Sequence, residues 1–359
     1  MKDGTLSLPD TGGTGPLLGL DLGGAHLKAA LLVEDAPVAI REVPCRLWEG
    51  LDRLDAAFGE ALAAWPEPGA VALTMTGELV DLFPDRRTGV LHLLDAVAAR
   101  FPGRPLAVWS TDGFLAPEAA ATSPLAVASA NWQATAELLA RRLPFGILVD
   151  IGSTTTDLVP FAGGRVRARG RDDAERLAEG ELVYRGLVRT PLMALADRVP
   201  FRGRLVGVAA EHFATTADVF RLLGRLDEAF DQHPAADGGA KTAEGSARRL
   251  LRMVGTDLGP ASFREARALA ALFAEAQLRQ IHDGLALLLS RAAIPAEAPL
   301  VAAGCGAFLV PELARRLDRP VRDFATVLSL EGELARWARV AAPALAVALL
   351  AREARTQAA

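Results

Sequence analysis

The sequence has very little cysteine, with only Cys45 and Cys305 among its 359 residues. Two cysteines so far apart exclude a disulfide framework and a cysteine-based zinc site. The five histidines are scattered, and no pair of them has the spacing of metal ligands. The first residues also lack the apolar core of a signal peptide. Together these absences favour a reducing, cytoplasmic location.

Long apolar runs and blocks of like charge are missing as well. The longest apolar run, residues 340–351, contains Pro343 and is shorter than the roughly 20 residues of a membrane-spanning helix. The 39 Lys and Arg residues are outnumbered by 44 Asp and Glu residues, which gives a net charge of −5. A negative chain without a basic patch argues against nucleic acid as a partner. We therefore expect neither a membrane nor a nucleic acid as partner.

Apolar segments of strand length alternate along the chain with segments of helical period. The pattern predicts strands at Leu17–Leu22, Leu27–Val33, Pro37–Val43, Ala70–Met75, Pro105–Trp109, Phe145–Ile151, Thr155–Phe161, Arg165–Arg169 and Ala298–Ala303. It predicts helices at 51–64, 90–100, 131–142, 217–229, 246–254, 262–290 and 329–356, with a loop at 231–241. The alternation is typical of an α/β protein.

One motif occurs twice. Residues 18–28 (LGLDLGGAHLK) and 147–157 (ILVDIGSTTTD) both read as an apolar strand, an aspartate, a glycine-bearing turn and a second strand. The alignment pairs Asp21 with Asp150 and Gly23 with Gly152. Because the same motif begins each half of the chain, the sequence predicts a duplicated fold of two lobes with a cleft between them.

The repeated turns have the residue types of a phosphate site. Glycine permits positive φ and close approach of a ligand to the backbone, and free N–H groups in such a turn bind anions. Carboxylates bind Mg²⁺ together with phosphate oxygens, and lysine adds a point charge. The candidates are Gly23, Gly24 and Gly152 for the turns, the hydroxyls of Ser153, Thr154 and Thr155, the carboxylates of Asp21 and Asp150 or Asp157, and Lys28. The alternative is an ordinary hairpin whose aspartate caps its own backbone, which two aligned copies make less favourable.

A third glycine turn lies near the end of the chain. Gly304, Cys305 and Gly306 follow a predicted strand and precede a helix, a place that suits a phosphate or a nucleotide. Taken alone the pattern is weak, because many strand-to-helix turns use glycine. We interpret Cys305 as a small buried residue, since no histidine or asparagine lies near it in sequence.

These motifs together carry a family resemblance. The three turns resemble the phosphate and nucleotide loops of the actin, hexokinase and sugar-kinase superfamily. The amino-acid sequence around these turns is similar to that of the hydantoinase/oxoprolinase-like proteins linked to tetrahydromethanopterin one-carbon metabolism. That branch contains the methanofuran-biosynthesis ether synthases. The strings that carry this likeness lie at 19–28 (GLDLGGAHLK), 74–79 (TMTGEL), 129–132 (SANW), 150–160 (DIGSTTTDLVP), 180–191 (GELVYRGLVRTP), 211–219 (EHFATTADV), the Asp237-Gly238 loop with Lys241 and Thr242, and 302–309 (AAGCGAFL).

The resemblance implies an α/β, two-lobe, actin-like ATPase (ribonuclease H-like) duplicated fold with a helical insertion. The implied division is a mobile tail at 1–16, a first lobe at 17–144, a second lobe at 145–330 with the insertion at about 190–290, and a C-terminal helix at 331–359.

The resemblance also implies a transferase. The phenol oxygen of a (glutamyl)tyramine or tyrosine-type acceptor would attack an aminomethylfuran-methyl diphosphate and release diphosphate, with Mg²⁺ as cofactor. Catalytic roles fall to Asp157 as base, Asp150 and Lys28, with Asp21 and Asp150 at the metal. Substrate contacts are expected from Glu78, Asn131, Glu181, Tyr184 and Arg189. ATP or ADP as a ligand and a homodimer are left open.

Two alternatives remain at this point. One is an ATP-dependent small-molecule kinase or a hydantoinase/oxoprolinase-type amidohydrolase of the same fold. The other is a nucleotide-binding regulator without catalysis. Dependence of turnover on ATP separates the first alternative from the ether synthase.

Overall fold

The computed structural model describes residues 15–291 and 294–358. All but the last two residues of the predicted mobile tail, residues 1–16, lie outside this part. The strands are β1 Leu17–Leu22, β2 His26–Val33, β3 Ala36–Pro44, β4 Ala70–Met75, β5 Leu106–Ser110, β6 Gly113–Leu115, β7 Phe145–Ile151, β8 Thr156–Ala162, β9 Arg165–Val166, β10 Leu182–Val183, β11 Arg198–Phe201, β12 Arg204–Gly207, β13 Leu300–Ala303 and β14 Val321–Asp323.

The helices are α1 Asp52–Ala61, α2 Arg86–Arg100, α3 Pro117–Thr122, α4 Pro124–Val127, α5 Asn131–Ala140, α6 Asp173–Ala178, α7 Thr216–Leu222, α8 Ala243–Arg252, α9 Phe263–Leu289, α10 Val310–Arg316, α11 Phe324–Val327, α12 Gly332–Val340 and α13 Ala342–Ala358. In the part of the chain that is described, no single helix is long and apolar enough to cross a membrane. Only the bent pair Gly332–Val340 and Ala342–Thr356, taken together, reaches that length and composition.

Two sheets repeat one strand order. The first runs β3-β2-β1-β4-β5-β6, and the second runs β10-β8-β7-β13-β14 with β9 paired to β8. In each sheet the strand that opens a repeated motif is flanked by its hairpin partner on one side and by a much later strand on the other. β1 is antiparallel to β2 and parallel to β4. This shared order confirms the predicted duplicated, ribonuclease H-like α/β fold of the actin type.

The chain divides into two compact units. The first comprises the described residues up to Leu148, the segment Val159–Arg176 and the described part of Arg322–Ala359. The second comprises Val149–Leu158 and Leu177–Val321. The domain boundaries expected from the family resemblance stay a prediction.

The core of the first unit lies between its sheet and helices. Alternate residues of β1 and β4 pack with α1 and α2, and the buried cluster includes Leu20, Leu22, Phe58, Leu73 and Val90. Helix α13 packs against β1, β2 and β4. It approaches β1 so closely that a methyl group at Gly19 would lie 2.1 Å from the carbonyl oxygen of Ala344.

Helices α7, α8 and α9 pack against one another in the second unit. Ahead of them the structure has the antiparallel hairpin β11–β12, in a region for which the sequence predicted mostly helix. Its turn residues Arg202 and Gly203 have φ of 49° and 72°, which is typical of a two-residue hairpin loop. An Arg-Gly pair gives a weaker sequence signal for such a turn than Asn-Gly does.

Two predicted helices are shorter than expected. Helix α7 ends at Leu222, before Gly224 with its φ of 67°, rather than continuing to residue 229. The predicted helix 329–356 is two helices, α12 and α13, that meet at an angle of 101°. Pro343 lies in the first turn of α13, where proline is tolerated, whereas its ring would clash with a preceding helical turn.

The contact between β1 and α13 generates a stability prediction. The substitution Gly19→Ala should destabilise the protein by roughly 1 to 3 kcal/mol or more, because the added methyl group overpacks a tight interface. The control is Gly59→Ala on α1, where nothing lies within 4 Å of the added methyl group. That change should be neutral or stabilising by up to about 1 kcal/mol. Denaturant unfolding measures both, and equal stabilities of the two variants would contradict the packing argument.

Candidate functional site

The first glycine turn joins β1 to β2 in the first unit. The amide of Gly23 donates a hydrogen bond of 2.9 Å to the carbonyl oxygen of His26. The turn contains Gly23 and Gly24, and a side chain at either position would collide with its neighbours. A methyl group at Gly23 would lie 2.8 Å from the carbonyl oxygen of His26. At Gly24 it would lie 2.6 Å from Cγ1 of Val80. The turn therefore needs glycine for space, and neither residue has a positive φ.

A row of charged side chains crosses the three strands beside this turn. Asp21 on β1 is in register with Lys28 on β2, and Lys28 is in register with Glu42 on β3. Lys28 Nζ lies 3.4 Å from Asp21 Oδ2, and both carboxyl groups are buried. The predicted phosphate lysine thus lies between two carboxyl groups. Sequence reasoning missed Glu42, because only strand register places it beside Lys28.

Burial controls the protonation of Glu42. Loss of water raises the pKa of Glu42 to about 7, and the charge of Asp21 adds to this effect while Lys28 opposes it. A carboxyl group with such a pKa is partly neutral at physiological pH. The row therefore holds one firm ion pair, Lys28 with Asp21, and one carboxyl group that exchanges its proton near neutrality.

The second glycine turn, in the second unit, repeats the first turn's closing bond. The amide of Gly152 donates a hydrogen bond of 2.9 Å to the carbonyl oxygen of Thr155. In both turns the glycine amide therefore bonds to the carbonyl three residues later. Gly152 also has no positive φ. The two turns share their backbone geometry as well as their sequence pattern.

The segment 184–191 supports this second turn through its backbone. Leu187 donates to the carbonyl oxygen of Gly152 at 2.9 Å, and Arg189 donates to that of Ser153 at 2.8 Å. The backbone of Gly186 packs directly against the backbone of Ser153. A methyl group at Gly186 would lie 2.4 Å from the Ser153 carbonyl group. The string GELVYRGLVRTP therefore holds the turn in place.

The carbonyl oxygen of Gly186 is itself held by side chains from distant segments. Thr216 Oγ1 and Gln277 Nε2 each donate to it at 2.9 Å. Thr190 Oγ1 accepts from the amide of Gly186 at 2.8 Å. The string that contains Thr216 thus supports the same turn, and Thr215 in that string caps α7. Gln277 on α9 carries no sequence signal for this role.

The guanidinium group of Arg189 lies beside the hydroxyl groups of the turn. Its Nη1 is 3.5 Å from Thr154 Oγ1, which is 3.5 Å from Ser153 Oγ. Burial lowers the pKa of Arg189, although a guanidinium stays charged at neutral pH. A partly desolvated cation next to hydroxyl groups attracts an anion strongly.

The third glycine turn packs onto the end of β7, next to Asp150. Gly304 has a φ of 80°, and a methyl group there would lie 2.2 Å from the carbonyl oxygen of Ile151 and 2.5 Å from Asp150 Oδ1. The amide of Gly306 donates to the same carbonyl oxygen at 2.8 Å. Left-handed backbone, expected for the turns in general, is found at this glycine. Cys305 is buried, in agreement with its interpretation as a packing residue.

The second unit thus brings together most of the residues assigned to phosphate binding. The third turn lies against β7 next to Asp150, and Arg189 joins the hydroxyl groups of the second turn. The group consists of Asp150, Gly152, Ser153, Thr154, Thr155, Arg189, Gly304 and Gly306. Asp21, Gly23, Gly24 and Lys28 form their own group in the first unit. That the two groups share one ligand stays a prediction.

Three other predicted site residues of the second unit lie in varied surroundings. Glu181 is fully buried and forms an ion pair of 2.8 Å with Arg291. Tyr184 is 48% exposed. Asp157 is half-buried on β8, in register with Leu182 on β10. Their predicted substrate and base roles stay predictions.

The predicted substrate residues of the first unit, Glu78 and Asn131, lie at the ends of two connections. Glu78 follows β4, is buried, and accepts a hydrogen bond of 2.8 Å from Ser129 Oγ. Asn131 begins α5, and its Oδ1 accepts from the amide of Trp132 at 2.8 Å. Ser129 is the link that sequence reasoning missed, although it belongs to the string SANW.

No group of three or more His, Cys, Asp or Glu side chains with the geometry of a metal site occurs among residues 15–291 and 294–358. A metal ion bound by this chain would therefore take further ligands from its substrate, as Mg²⁺ does with phosphate oxygens.

Comparisons with known proteins identify the family of this chain. Residues 70–332 match the family model described as Hydantoinase/oxoprolinase. A Methanocaldococcus jannaschii protein is 35% identical over 244 residues, which cover 67% of this chain and 72% of that protein. It is named (4-{4-[2-(gamma-L-glutamylamino)ethyl]phenoxymethyl}furan-2-yl)methanamine synthase. A Methanococcus vannielii protein of the same name is 36% identical over 119 residues, 33% of this chain and 53% of that protein.

Among solved structures, the nucleotide-free structure of acetone carboxylase has a TM-score of 0.59 with this chain. The match is 11% identical in sequence and covers 92% of this chain and 70% of that one. At this level of identity the likeness concerns the fold alone. It agrees with the architecture that the strand order shows.

The titration of Glu42 generates a prediction about stability. The folded state keeps this proton up to a pH of about 7, whereas an unfolded glutamate loses it near 4.5. The wild-type free energy of unfolding should therefore fall as pH rises between these values. The substitution Glu42→Gln removes that loss, so the variant should gain roughly 2 to 3 kcal/mol over wild type above pH 7 and little near pH 4.5.

Urea unfolding of both proteins across this pH range provides the measurement. The exposed Glu60→Gln on α1 serves as the control. A difference between Glu42→Gln and wild type that does not change with pH would contradict the buried titration.

Proposed function

This chain belongs to the hydantoinase/oxoprolinase family, and on that premise we propose that it is an ether synthase of methanofuran or methylofuran coenzyme biosynthesis. The phenol oxygen of a (glutamyl)tyramine or tyrosine-type acceptor attacks the methylene carbon of an aminomethylfuran-methyl diphosphate. An aryl ether forms and diphosphate leaves. The name of the two relatives describes a furan joined to a phenol ring through a phenoxymethyl group, the bond that this reaction makes.

The observation that carries the proposal is the anion site of the second unit. A glycine turn, two hydroxyl groups and the Arg189 guanidinium lie within hydrogen-bonding reach of one another. Three peptide groups of the segment 184–191 fix this arrangement before any ligand arrives. A preorganised cation and donors stabilise negative charge that grows on a leaving group. A leaving diphosphate carries the negative charge that this group of donors would bind, and the reaction that releases it needs no ATP.

The reaction balances without an oxidant or a nucleotide. The bond between the furanylmethyl carbon and the diphosphate oxygen breaks, and its electron pair leaves with diphosphate. The carbon bears positive charge as that bond lengthens, because the furan ring delocalises it. The phenol oxygen supplies the electron pair of the new bond, and its proton passes to a base. Stabilising the departing oxygens therefore lowers the barrier of the step.

The residues present fit a magnesium ion that is bound mainly by the substrate. Mg²⁺ takes one or two carboxylates and completes its shell with phosphate oxygens and water. In the second unit Asp150 places its carboxylate against the third glycine turn, and we assign it as the ligand there. Asp21, predicted as a ligand, forms an ion pair with Lys28 in the first unit. When bound, Mg²⁺ neutralises charge on diphosphate.

Packing after the third turn favours diphosphate over a nucleotide. The ring of Phe308 contacts Phe220 edge to face, with centroids 5.7 Å apart, and the guanidinium of Arg225 covers it at 4.6 Å. Arg225 thus covers one face of the Phe308 ring, and that face is not open to a stacked adenine. A kinase or an ATP-dependent amidohydrolase of this fold remains the second candidate, and nucleotide dependence separates it.

Direct assay tests the proposed reaction. The protein is incubated with a furanylmethyl diphosphate, a tyramine-type phenol and Mg²⁺ in the absence of nucleotide. We expect equal amounts of coupled ether and diphosphate by mass spectrometry. A variant with Asp150→Asn should lose at least about tenfold in rate, which is roughly 1.4 kcal/mol. Turnover that requires ATP and forms ADP, or no ether from folded protein, would reject the ether synthase.

Arg189 provides a binding prediction. The substitution Arg189→Ala should weaken the binding of inorganic diphosphate by roughly 10- to 100-fold, because a charge-assisted contact is worth about 1.5 to 3 kcal/mol. The matched control is Arg204→Ala, an exposed arginine of the same unit on β12. Isothermal titration calorimetry with diphosphate measures both variants. Equal affinity of the two variants would remove Arg189 from the anion site.

A further inference from the structure

The side chain of Arg185, in the segment that supports the second turn, reaches the long helix α9. Its Nε donates to Oε1 of Gln280, and its Nη1 donates to the carbonyl oxygen of Tyr184 at 2.7 Å. Nε2 of Gln280 donates to the carbonyl oxygen of Leu195 at 2.9 Å. Because only the nitrogen of a carboxamide can donate to a carbonyl, this contact fixes which end of Gln280 faces Arg185. The guanidinium group is therefore held in one orientation.

The backbone of Arg185 lies beside the hairpin that carries the second turn. Its carbonyl oxygen accepts a hydrogen bond of 2.6 Å from Thr156 Oγ1. The carbonyl oxygen of the next residue, Gly186, accepts from Gln277, which lies three residues before Gln280 on α9. Residues three apart on a helix share a face. One face of α9 therefore holds this part of the segment, and all of these residues belong to the second unit.

The charge of Arg185 has no counter-ion among the residues that the structure describes. The side chain is half-buried, and its two partners, a carboxamide and a peptide carbonyl, are neutral. Burial lowers the pKa of Arg185, although a guanidinium stays charged at neutral pH. Loss of water without a counter-ion costs a charged group free energy, and for this reason buried charges in proteins are generally paired.

Three buried arginines of the same unit have the paired arrangement. Arg221, Arg249 and Arg291 each form an ion pair with at least one carboxylate, and their side chains are 10% exposed or less. The second unit thus supplies carboxylates where it buries these guanidinium groups. Arg185 departs from this pattern, and its missing counter-ion points to a ligand with negative charge.

The outer end of the Arg185 guanidinium group is open to such a ligand. The contact of Nη1 with Tyr184 is exposed to solvent, whereas the contact of Nε with Gln280 is partly buried. A guanidinium group has five N–H groups, and within the described part of the chain these two contacts leave both N–H groups of Nη2 and one of Nη1. Neighbouring N–H groups on Nη1 and Nη2 form a fork that matches the two oxygens of a carboxylate.

We propose that Arg185 binds the carboxylate of the phenolic acceptor and so selects acceptors that carry one. This inference rests on the proposed function, whose acceptor is of the (glutamyl)tyramine or tyrosine type. Tyramine has no carboxylate, whereas its glutamyl derivative and tyrosine each have one. Arg189, proposed for diphosphate, lies four residues away, so the two Cα atoms are at most about 14 Å apart. The proposed sites for the carboxylate and for diphosphate thus lie on one segment of the second unit.

The substitution Arg185→Gln tests the proposal, because glutamine keeps a polar side chain but carries no charge. Isothermal titration calorimetry measures the affinity for glutamyltyramine and for an analogue in which a carboxamide replaces its carboxylate. The two acceptors differ in charge but hardly in shape. Arg279→Gln, on α9 next to Gln280 and paired with Asp283, is the matched control. Circular dichroism and thermal unfolding verify that each variant is folded.

Wild type should bind the carboxylate-bearing acceptor more tightly than the carboxamide analogue. Arg185→Gln should weaken binding of the former by roughly 10- to 100-fold and leave that of the analogue nearly unchanged. Arg279→Gln should match wild type with both acceptors. An equal loss with both acceptors would assign Arg185 to structure and overturn the proposal, as would a carboxylate preference that survives in Arg185→Gln. Weaker binding of inorganic diphosphate, with acceptor binding unchanged, would place Arg185 in the anion site and overturn the proposal as well.

These titrations contain no furanylmethyl diphosphate, so they separate this inference from the proposed function. If the direct assay yields no ether while wild type still prefers the carboxylate-bearing acceptor through Arg185, the proposed reaction fails and the carboxylate site stands. If ether forms but Arg185→Gln binds both acceptors as tightly as wild type does, the carboxylate site fails and the proposed function stands. Failure of wild type to bind either acceptor would also overturn the carboxylate site.

Discussion

Close approach of backbone to backbone at glycine is the constraint on which the candidate site depends. The two repeated turns are each closed by a glycine amide bonded to the carbonyl three residues later. Gly186 presses onto the second turn, and Gly304 presses onto the strand end beside Asp150. A single methyl group at Gly23, Gly186 or Gly304 would force neighbouring peptides apart. In the second unit, glycine at 186 and 304 therefore allows peptide groups to pack tightly beside Asp150 and the second turn, where we propose that diphosphate binds.

Two of the sequence strings that indicate the family have a structural role at the second turn. The segment 184–191 bonds to the second turn through its backbone, and the segment around Thr216 bonds to Gly186 in turn. Arg189 brings its charge to the turn along the same segment. Glu181, predicted as a substrate contact, forms a buried ion pair with Arg291.

The charged side chains near the two repeated turns have different neighbours. The row across β1, β2 and β3 keeps Lys28 between two carboxyl groups, and the second unit keeps Arg189 beside hydroxyl groups. Two buried glutamates, Glu42 and Glu78, have pKa values raised to about 7 by loss of water. They differ in their neighbours, because Glu42 faces a lysine and Glu78 faces a serine shared with Asp173.

The sequence by itself determined the longer strands, the two aspartate–glycine turns and the family, because these follow from apolar periodicity and from residues adjacent in the chain. The short strands β6, β10 and β14 were not predicted. The sequence also missed the β11–β12 hairpin, whose turn residues are unusual, and the bend before α13. Glu42, Ser129, Asp173 and Gln277 were decided only by the tertiary structure. Each reaches its partner through strand register or helix packing across tens of residues. Burial, which raises the pKa of Glu42, exists only once the chain has folded.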